Sequence, residues 1–206
     1  RHIVNEDRPQ INGLELAKDF ITTWFSQFSY MQAQIKHMSG ATDEDFELDS
    51  NALAAFGAKT TATDYIHTLE NWGMYSTQMN IFFEKYDLYL TPTTASVAPK
   101  NGEVAMPSWQ KPILKGLLKV GKAHYLAQGK LVEKMVQENL SWVPFTQLAN
   151  VTGLPAMSVP LYWNKNGLPL GSQFIAPFGR EDRLLQLAAQ LEQAQPWMPQ
   201  YKNIQL

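Results

Sequence analysis

Side chains that could carry out chemistry are few in this chain, and they are scattered. Its four histidines, His2, His37, His67 and His124, stand far apart and show no metal-ligand spacing. With no cysteine in the sequence, a thiol nucleophile, a zinc–thiolate site and a disulfide are all excluded. The sequence also lacks a Gly-x-Ser-x-Gly elbow, a phosphate-binding loop and a dinucleotide fingerprint. We therefore expect no catalytic residues, no metal and no cofactor in this chain.

An acidic run at residues 43–49, reading DEDFELD, is the one stretch with carboxylates at calcium-loop spacing. Such a loop needs glycine at its sixth position and glutamate at its twelfth, where this chain has Leu48 and Ala54. The run is interpreted as a solvated turn. We expect Asp49 or Ser50 to cap a short helix that ends near Gly57.

The elements that must position any site are clearest between Pro144 and Trp197. A short helix over residues 144–150 is predicted to end at Gly153, which can adopt the left-handed conformation. Two apolar runs, residues 156–163 and 168–176, predict an antiparallel hairpin, because the four-residue linker between them ends in Asn166-Gly167 and both of these residues tolerate a positive φ. Leucines at helical spacing then predict a helix from Glu181 to Pro196 that packs on the hairpin.

Both strands of this hairpin are predicted to be interior strands of a sheet. Met157, Val159 and Leu161 face one way, whereas Ala156, Ser158 and Pro160 face the other, with almost no charge on either face. Interior strands need partners on both sides, and the chain offers one more good candidate, residues 87–90. The sheet is therefore expected to be incomplete in this chain.

Helical patterns dominate the remainder of the chain. One begins near Leu16 and ends at Ser39-Gly40, and a second is expected to be capped by Thr63 or Asp64. Residues 91–112 predict a long loop, which is typical of functional or disordered segments. Residues 111–140 predict a basic amphipathic helix interrupted by glycines. Its lysines are interpreted as a solvated face, with a membrane-surface or partner-binding role as the alternative.

Several motifs in this order resemble the C-terminal part of the amidase signature family. They are Tyr86-Asp87-Leu88-Tyr89-Leu90-Thr91-Pro92-Thr93, Phe145-Thr146, Asn150-x-Thr152-Gly153-x-Pro155-Ala156, Ser158-Val159-Pro160, Gly167-Leu168-Pro169-x-Gly171-x-Gln173, Leu184-Leu185 and Leu191-Glu192. The Phe-Thr-Gln start and the Gln195-Pro196-Trp197 end are more narrowly similar to the 6-aminohexanoate-cyclic-dimer hydrolase branch. The resemblance implies an α/β fold in which helices cover a mixed β-sheet. It also implies that residues 1–206 form the C-terminal portion of one domain, mainly helical over 1–85, with the family core over 86–197.

The resemblance further implies an amide-bond hydrolase acting on cyclic or linear amide oligomers. The family's two serines and its lysine belong to an N-terminal segment rich in glycine and serine, and no such segment occurs here. This chain alone is therefore expected to be inactive. What it can supply is a wall of the acyl pocket, for which we expect the residues Thr91, Thr93, Phe145, Asn150 and Thr152. The alternatives are that Asn150 only caps a helix and that Phe145 is only core.

Composition limits the class of protein and its partners. The chain has 206 residues, is 45% hydrophobic and carries a net charge of −2, which suits a packed core and excludes a basic footprint for nucleic acid. No apolar run of about 18 residues and no signal peptide is visible. We expect a cytoplasmic protein whose partners are a small-molecule amide and the missing N-terminal half, or a second copy. A non-catalytic scaffold with the same fold is the alternative function.

Overall fold

The computed structural model describes residues 2–103, 106–127 and 140–201. The described residues divide into two compact units, a helical unit within residues 17–71 and 100–140 and a sheet unit within residues 2–16, 72–99 and 141–201. The elements follow in the order α1 (Gly13–Ser39), a 3₁₀ turn (Asp43–Asp45), α2 (Leu48–Gly57), α3 (Ala62–Phe83), β1 (Tyr89–Pro92), α4 (Gln110–Lys119), a 3₁₀ turn (Ala123–Ala127), α5 (Thr146–Thr152), β2 (Ala156–Trp163), β3 (Pro169–Ile175), α6 (Glu181–Ala194) and α7 (Met198–Tyr201). The predicted division at residues 85 and 86 stays a prediction.

The helical unit has its own apolar core. Buried side chains of α1, α2, α4 and the second 3₁₀ turn meet there, and they include Ile21, Phe25, Phe56, Leu114 and Ala123. The rings of Phe25 and Phe56 lie 5.4 Å apart between centroids. A side chain at Gly57 would overlap the backbone of Phe25, so the glycine allows α2 to lie directly against α1.

Two of the predicted helix caps are wrong. The residue before α2 is Glu47, which makes no side-chain capping bond, and Asp49 and Ser50 lie inside the helix. At the start of α3, the Thr61 hydroxyl accepts the Asp64 N–H at 3.1 Å, and the Thr61 N–H donates to the Asp64 carboxylate at 3.3 Å. This reciprocal pair uses Asp64 at the third helical position rather than as the cap itself.

The predicted basic helix over residues 111–140 is interrupted at Gly121, as expected, but not at Gly116, which lies inside α4. Helix α4 ends at Lys119, and Gly121 follows with a positive φ of 67°. A left-handed residue at this position closes a helix, because it turns the chain away from the helical axis. Residues 128–139 of the predicted helix lie outside the described residues.

The sheet unit contains three described strands in the order β1-β3-β2, and both pairs are antiparallel. Strand β3 is interior, as predicted. Strand β2 pairs on one side alone among the described strands, so the sheet is open where the sequence predicted a further partner. A mixed sheet needs at least one parallel strand in addition to these three, which agrees with a sheet that is incomplete in this chain.

The hairpin of β2 and β3 is confirmed, and of the Asn166-Gly167 pair that predicted it, Gly167 alone uses a positive φ. Gly167 has a φ of 75°, whereas no described residue other than glycine has a positive φ, so Asn166 does not adopt the left-handed conformation. The Gly167 N–H donates to the Asn164 carbonyl at 3.0 Å, and the Asn164 side chain accepts the N–H groups of Asn166 and Leu168. This is a three-residue loop with glycine at its left-handed position.

Strand β1 begins two residues later than predicted. It runs from Tyr89 to Pro92 rather than from residue 87 to residue 90, so Thr91 and Pro92 belong to the strand and not to a turn after it. Proline is tolerated because β1 is an edge strand in the described sheet and the nitrogen of Pro92 points away from β3.

Helix α6 covers one face of the sheet, as predicted. Its buried Leu184 and Leu187 form a cluster with Val159, Phe174 and Ala176. Since side chains alternate along a strand, the residues one position away in β2 and β3 project from the opposite face. The apolar face therefore contacts α6, and the opposite face carries a separate set of side chains.

Candidate functional site

Four uncharged polar side chains share the sheet face opposite α6. They are Thr91 and Thr93 of β1 and its extension, Ser158 of β2, and Gln173 of β3. Strand register places Thr91 and Ser158 on either side of Gln173. We call this set the polar face of the sheet.

Gln173 is the buried centre of the polar face, with 4% of its surface exposed. Its Nε2 donates to Thr91 Oγ1 and to the Phe145 backbone carbonyl, both at 3.2 Å. One amide group thus ties β3 to β1 and to the residue that immediately precedes α5. Buried polar groups are costly unless they are hydrogen-bonded, so this bridge holds the three elements in one arrangement.

Thr93 and Ser158 meet across the interior strand. Their hydroxyl oxygens are 2.5 Å apart, and the Thr93 N–H donates to the Gly171 carbonyl at 2.8 Å. A Cβ at Gly171 would overlap Ser158 Oγ and crowd Thr93 Oγ1. The absence of a side chain at Gly171 is therefore what lets the two hydroxyls approach each other.

Three of the five predicted site residues lie together. Thr91 and the backbone of Phe145 are joined by Gln173, and Thr93 extends the same face. Asn150 and Thr152 bond instead within α5, where the Asn150 amide donates to the Thr146 carbonyl at 3.1 Å and the Thr152 hydroxyl to the Leu148 carbonyl at 2.6 Å. Their predicted role in binding substrate stays a prediction, as does that of the other three.

Sequence reasoning missed Gln173, Ser158 and Gly171 as members of the site. A signal for them was present, because a glutamine and a serine inside otherwise apolar strands must find polar partners. Gln147 is a further buried polar residue near this site, and its amide donates to the Val143 carbonyl at 3.1 Å. It keeps the segment before α5 folded back on that helix.

Sequence reasoning overlooked a Ser-x-x-Lys spacing at Ser108 and Lys111, a pattern that can mark a serine nucleophile and its base. In the structure both residues are exposed at the start of α4 in the helical unit. No hydrogen bond joins them in the described part of the chain. A serine and its base must lie within hydrogen-bond reach, so this pair does not form a catalytic centre in the structure.

Several charged groups of the sheet unit form ion pairs at its surface, among them Lys85 with Asp7 and Arg180 with Asp182. The Asp7 carboxylate accepts a 2.6 Å bond from the Tyr86 hydroxyl, and this bond, with those from Arg8 N–H and Lys85, lowers the pKa of Asp7 to about 2. Arg180 lowers the pKa of Asp182 to about 2 in the same way. The polar face itself carries no formal charge, which favours a neutral polar ligand over an ion.

Over residues 2–103, 106–127 and 140–201, no group of three or more acidic or histidine side chains could hold a metal ion. The described helices also include none that is long and apolar enough to cross a membrane.

Comparisons with known proteins agree with this architecture. The chain is 34% identical over 91% of its length to the lipoamidase of Enterococcus faecalis, and 29% identical over 98% to the 6-aminohexanoate-cyclic-dimer hydrolase of Pseudomonas sp. (strain NK87). It spans 26% and 39% of the lengths of these two relatives. A solved structure of 6-aminohexanoate cyclic dimer hydrolase with its substrate matches 94% of the chain with a TM-score of 0.73 and 28% identity, and 38% of that structure is covered.

The predicted fold is confirmed by this structural match, in which the chain corresponds to part of a larger enzyme. The Amidase family model matches residues 17–185, a range that includes the hairpin, α5 and every residue of the polar face. The chain therefore belongs to the amidase signature family.

Proposed function

We propose that this chain is the C-terminal part of an amide-bond hydrolase and that it forms one wall of the acyl pocket. The observation that carries the proposal is the buried Gln173 bridge, which fixes Thr91 and Phe145 beside the open hydroxyl pair of Thr93 and Ser158. An uncharged, hydrogen-bonding wall next to an aromatic residue suits neutral amide substrates. Cyclic or linear amide oligomers of the 6-aminohexanoate type are the proposed substrates.

The proposed division of labour places the reaction in the N-terminal half of the enzyme. There a lysine activates a serine for attack on the amide carbonyl, with a second serine relaying the proton, and backbone N–H groups stabilise the oxyanion. Thr91, Thr93, Phe145, Asn150 and Thr152 act on the substrate by binding and orienting its acyl chain. Holding the scissile amide in an attack geometry is itself a large contribution to rate.

The partner of the chain is the missing N-terminal half, and it docks at the outer edge of β2. The Ala176 N–H donates to the Pro155 carbonyl, and the backbone groups of alternate residues in an antiparallel pair point in opposite directions. Ala156 and Ser158 therefore point their N–H and C=O groups away from β3. These groups have no strand partner among the described residues, and such an edge is a template for another strand.

The outer edge of β1 is less suited than that of β2 to pairing with a strand of the N-terminal half. Strand β1 has four residues, and its outward-facing positions are Leu90 and Pro92, of which the proline has no N–H. The relatives are longer than this chain by a factor of more than two, which is ample for the strands that would add to β2. A cytoplasmic enzyme assembled in this way needs no membrane or nucleic-acid partner.

A chimera tests this function. The part of the Pseudomonas sp. (strain NK87) relative that precedes its match to this chain is joined to residue 1 of this chain and assayed with 6-aminohexanoate cyclic dimer. We expect turnover from the chimera, and none from the 206-residue chain or from the relative's N-terminal part alone. Circular dichroism and size-exclusion chromatography establish that all three proteins are folded.

The opposite results are equally informative. A folded chimera that hydrolyses neither cyclic nor linear amides contradicts the enzyme proposal and favours the alternative, a non-catalytic scaffold with an amidase-derived fold. Turnover by the 206-residue chain alone would show that the nucleophile lies within this chain. In that case, replacing each of its serines by alanine in turn identifies the residue.

A further inference from the structure

We propose that the hydroxyl pair of Thr93 and Ser158 binds a neutral amide group of the substrate, which makes Ser158 a substrate-binding residue. The inference rests on the proposed function and names the part of the pocket wall that recognises the amide. Its starting point is the 2.5 Å contact between the two hydroxyl oxygens across Gly171.

The hydrogen-bonding capacity of the pair matches an amide. Each hydroxyl has one proton and two acceptor lone pairs, and one proton is used in the bond between them. The pair therefore retains one donor and several acceptor positions. A secondary amide has one carbonyl acceptor and one N–H donor. One amide can therefore accept a hydrogen bond from the free hydroxyl proton of the pair and donate one to a hydroxyl oxygen. A ketone or an ester of the same shape satisfies the donor alone.

The protein around the pair holds it in place before any ligand arrives. The Thr93 N–H is bonded to Gly171, and the neighbouring Thr91 is tied to the buried Gln173. Ser158 lies on the regular part of β2, opposite Gln173 in the register. Groups positioned in advance lose little conformational entropy on binding, which favours a ligand over solvent.

Accessibility distinguishes this pair from the buried bridge beside it. Ser158 is exposed and Thr93 is half-buried, whereas Thr91 and Gln173 are buried. A tie between strands alone would also explain the contact. The two roles differ in their consequences, since a structural tie affects stability and a binding site affects affinity for an amide.

The test is an NMR titration of the ¹⁵N-labelled 206-residue chain with ε-caprolactam, a small cyclic amide, at a protein concentration below that at which light scattering detects self-association. Cycloheptanone, which has the same ring size and a carbonyl but no N–H, is the matched ligand. We expect saturable shifts of the Thr93, Ser158 and Gly171 amides with the lactam and at least fivefold weaker binding of the ketone. Gly57, in the helical unit, reports non-specific effects.

Three variants complete the test. Ser158→Ala should weaken lactam binding at least fivefold, and Thr93→Val, which removes the other hydroxyl, should do the same. Ser172→Ala is the control, because Ser172 projects from the α6 face of the sheet, and it should leave binding unchanged. The unperturbed remainder of each spectrum shows that the variant is folded.

Lactam shifts that survive both hydroxyl deletions overturn the inference, as does an absence of shifts in the unmodified chain. Equal binding of the lactam and the ketone overturns the assignment of the ligand as an amide. Binding is measured without turnover, so its failure is separate from a failure of the chimera to hydrolyse amides.

Discussion

Gln173 holds a primary amide in the buried interior of the sheet unit, where its two hydrogen bonds join three elements. Gln173→Leu keeps a side chain of similar volume but leaves the Phe145 carbonyl and the Thr91 hydroxyl without this donor. We expect the free energy of unfolding to fall by about 1–3 kcal/mol, the cost of unsatisfied buried polar groups. Urea denaturation of the chain measures it.

The matched control for that substitution is Gln195→Leu. Gln195 is exposed, and its amide reaches the Leu161 carbonyl at a long 3.4 Å. Surface changes of this kind alter stability by less than about 0.5 kcal/mol. Equal effects of the two substitutions would mean that the Gln173 bridge does not stabilise the sheet unit.

Tyr89 should make the fold sensitive to alkaline pH. Its half-buried ring packs edge-on against Phe82, with 5.2 Å between the ring centroids. Burial raises the pKa of the Tyr89 phenol above its ordinary value of 10.0. The folded protein therefore favours the neutral phenol, while the unfolded chain ionises first as the pH rises. The stabilisation is complete below pH 10 and is lost as the pH rises through the folded-state pKa.

A comparison with Tyr89→Phe isolates this effect from other tyrosines and from lysines. We expect the midpoint of thermal unfolding to fall less steeply in Tyr89→Phe than in the unsubstituted chain above about pH 10. Parallel curves for the two proteins between neutral and alkaline pH would show that the Tyr89 phenol titrates as in the unfolded chain.

At the scale of elements, the outer edge of β2 is the feature most in need of a partner. The isolated chain should therefore self-associate, because the N–H and C=O groups of Ala156 and Ser158, which pair with no strand among the described residues, can pair with a second copy. Ala156→Pro removes an outward N–H and should weaken this association at least several-fold. Light scattering over a range of protein concentrations measures it.

Ala156→Val is the control for that substitution, since it keeps the N–H and suits a strand. It should associate as the unsubstituted chain does. A chain that stays monomeric at every concentration, without aggregation, would contradict the expectation that the β2 edge recruits a strand.

At the scale of the whole enzyme, pocket and core roles can be separated for Phe145. Phe145 is half-buried, so its side chain can line the pocket or pack in the core. In the active chimera, a pocket role predicts that Phe145→Ala alters the ratio of kcat/KM between a bulky and a small amide by about tenfold to two-hundredfold. A core role predicts instead a loss of about 3–5 kcal/mol in stability with a constant ratio.

The thermal midpoint and the ratio of kcat/KM between the bulky and the small amide must therefore both be measured on each variant. Thr93→Val is the companion variant, because it keeps the shape of the side chain and removes its hydroxyl. A constant ratio with a lowered midpoint removes Phe145 from the site, and the same result for Thr93→Val removes the end of β1.

The amino-acid sequence by itself determined the features that depend on neighbours along the chain. Helical periodicity predicted α1, α3 and α6, and Gly153 ends α5 in the left-handed conformation expected of it. Alternation of side chains placed Met157 and Val159 on one shared face, and the structure shows that this face packs against α6. Local backbone preferences and periodic burial suffice for such features.

Tertiary structure alone decided which distant residues meet. Gln173 bonds to Thr91, which is 82 positions away in sequence, and to Phe145, which is 28 positions away. The Thr93 and Ser158 hydroxyls that meet are 65 positions apart. No local pattern encodes such contacts, because they follow from the strand order β1-β3-β2 and from the register of each pair. The hydroxyls of Thr93 and Ser158 meet in the space that Gly171 leaves free of a side chain. That space forms only when β1, β3 and β2 lie side by side.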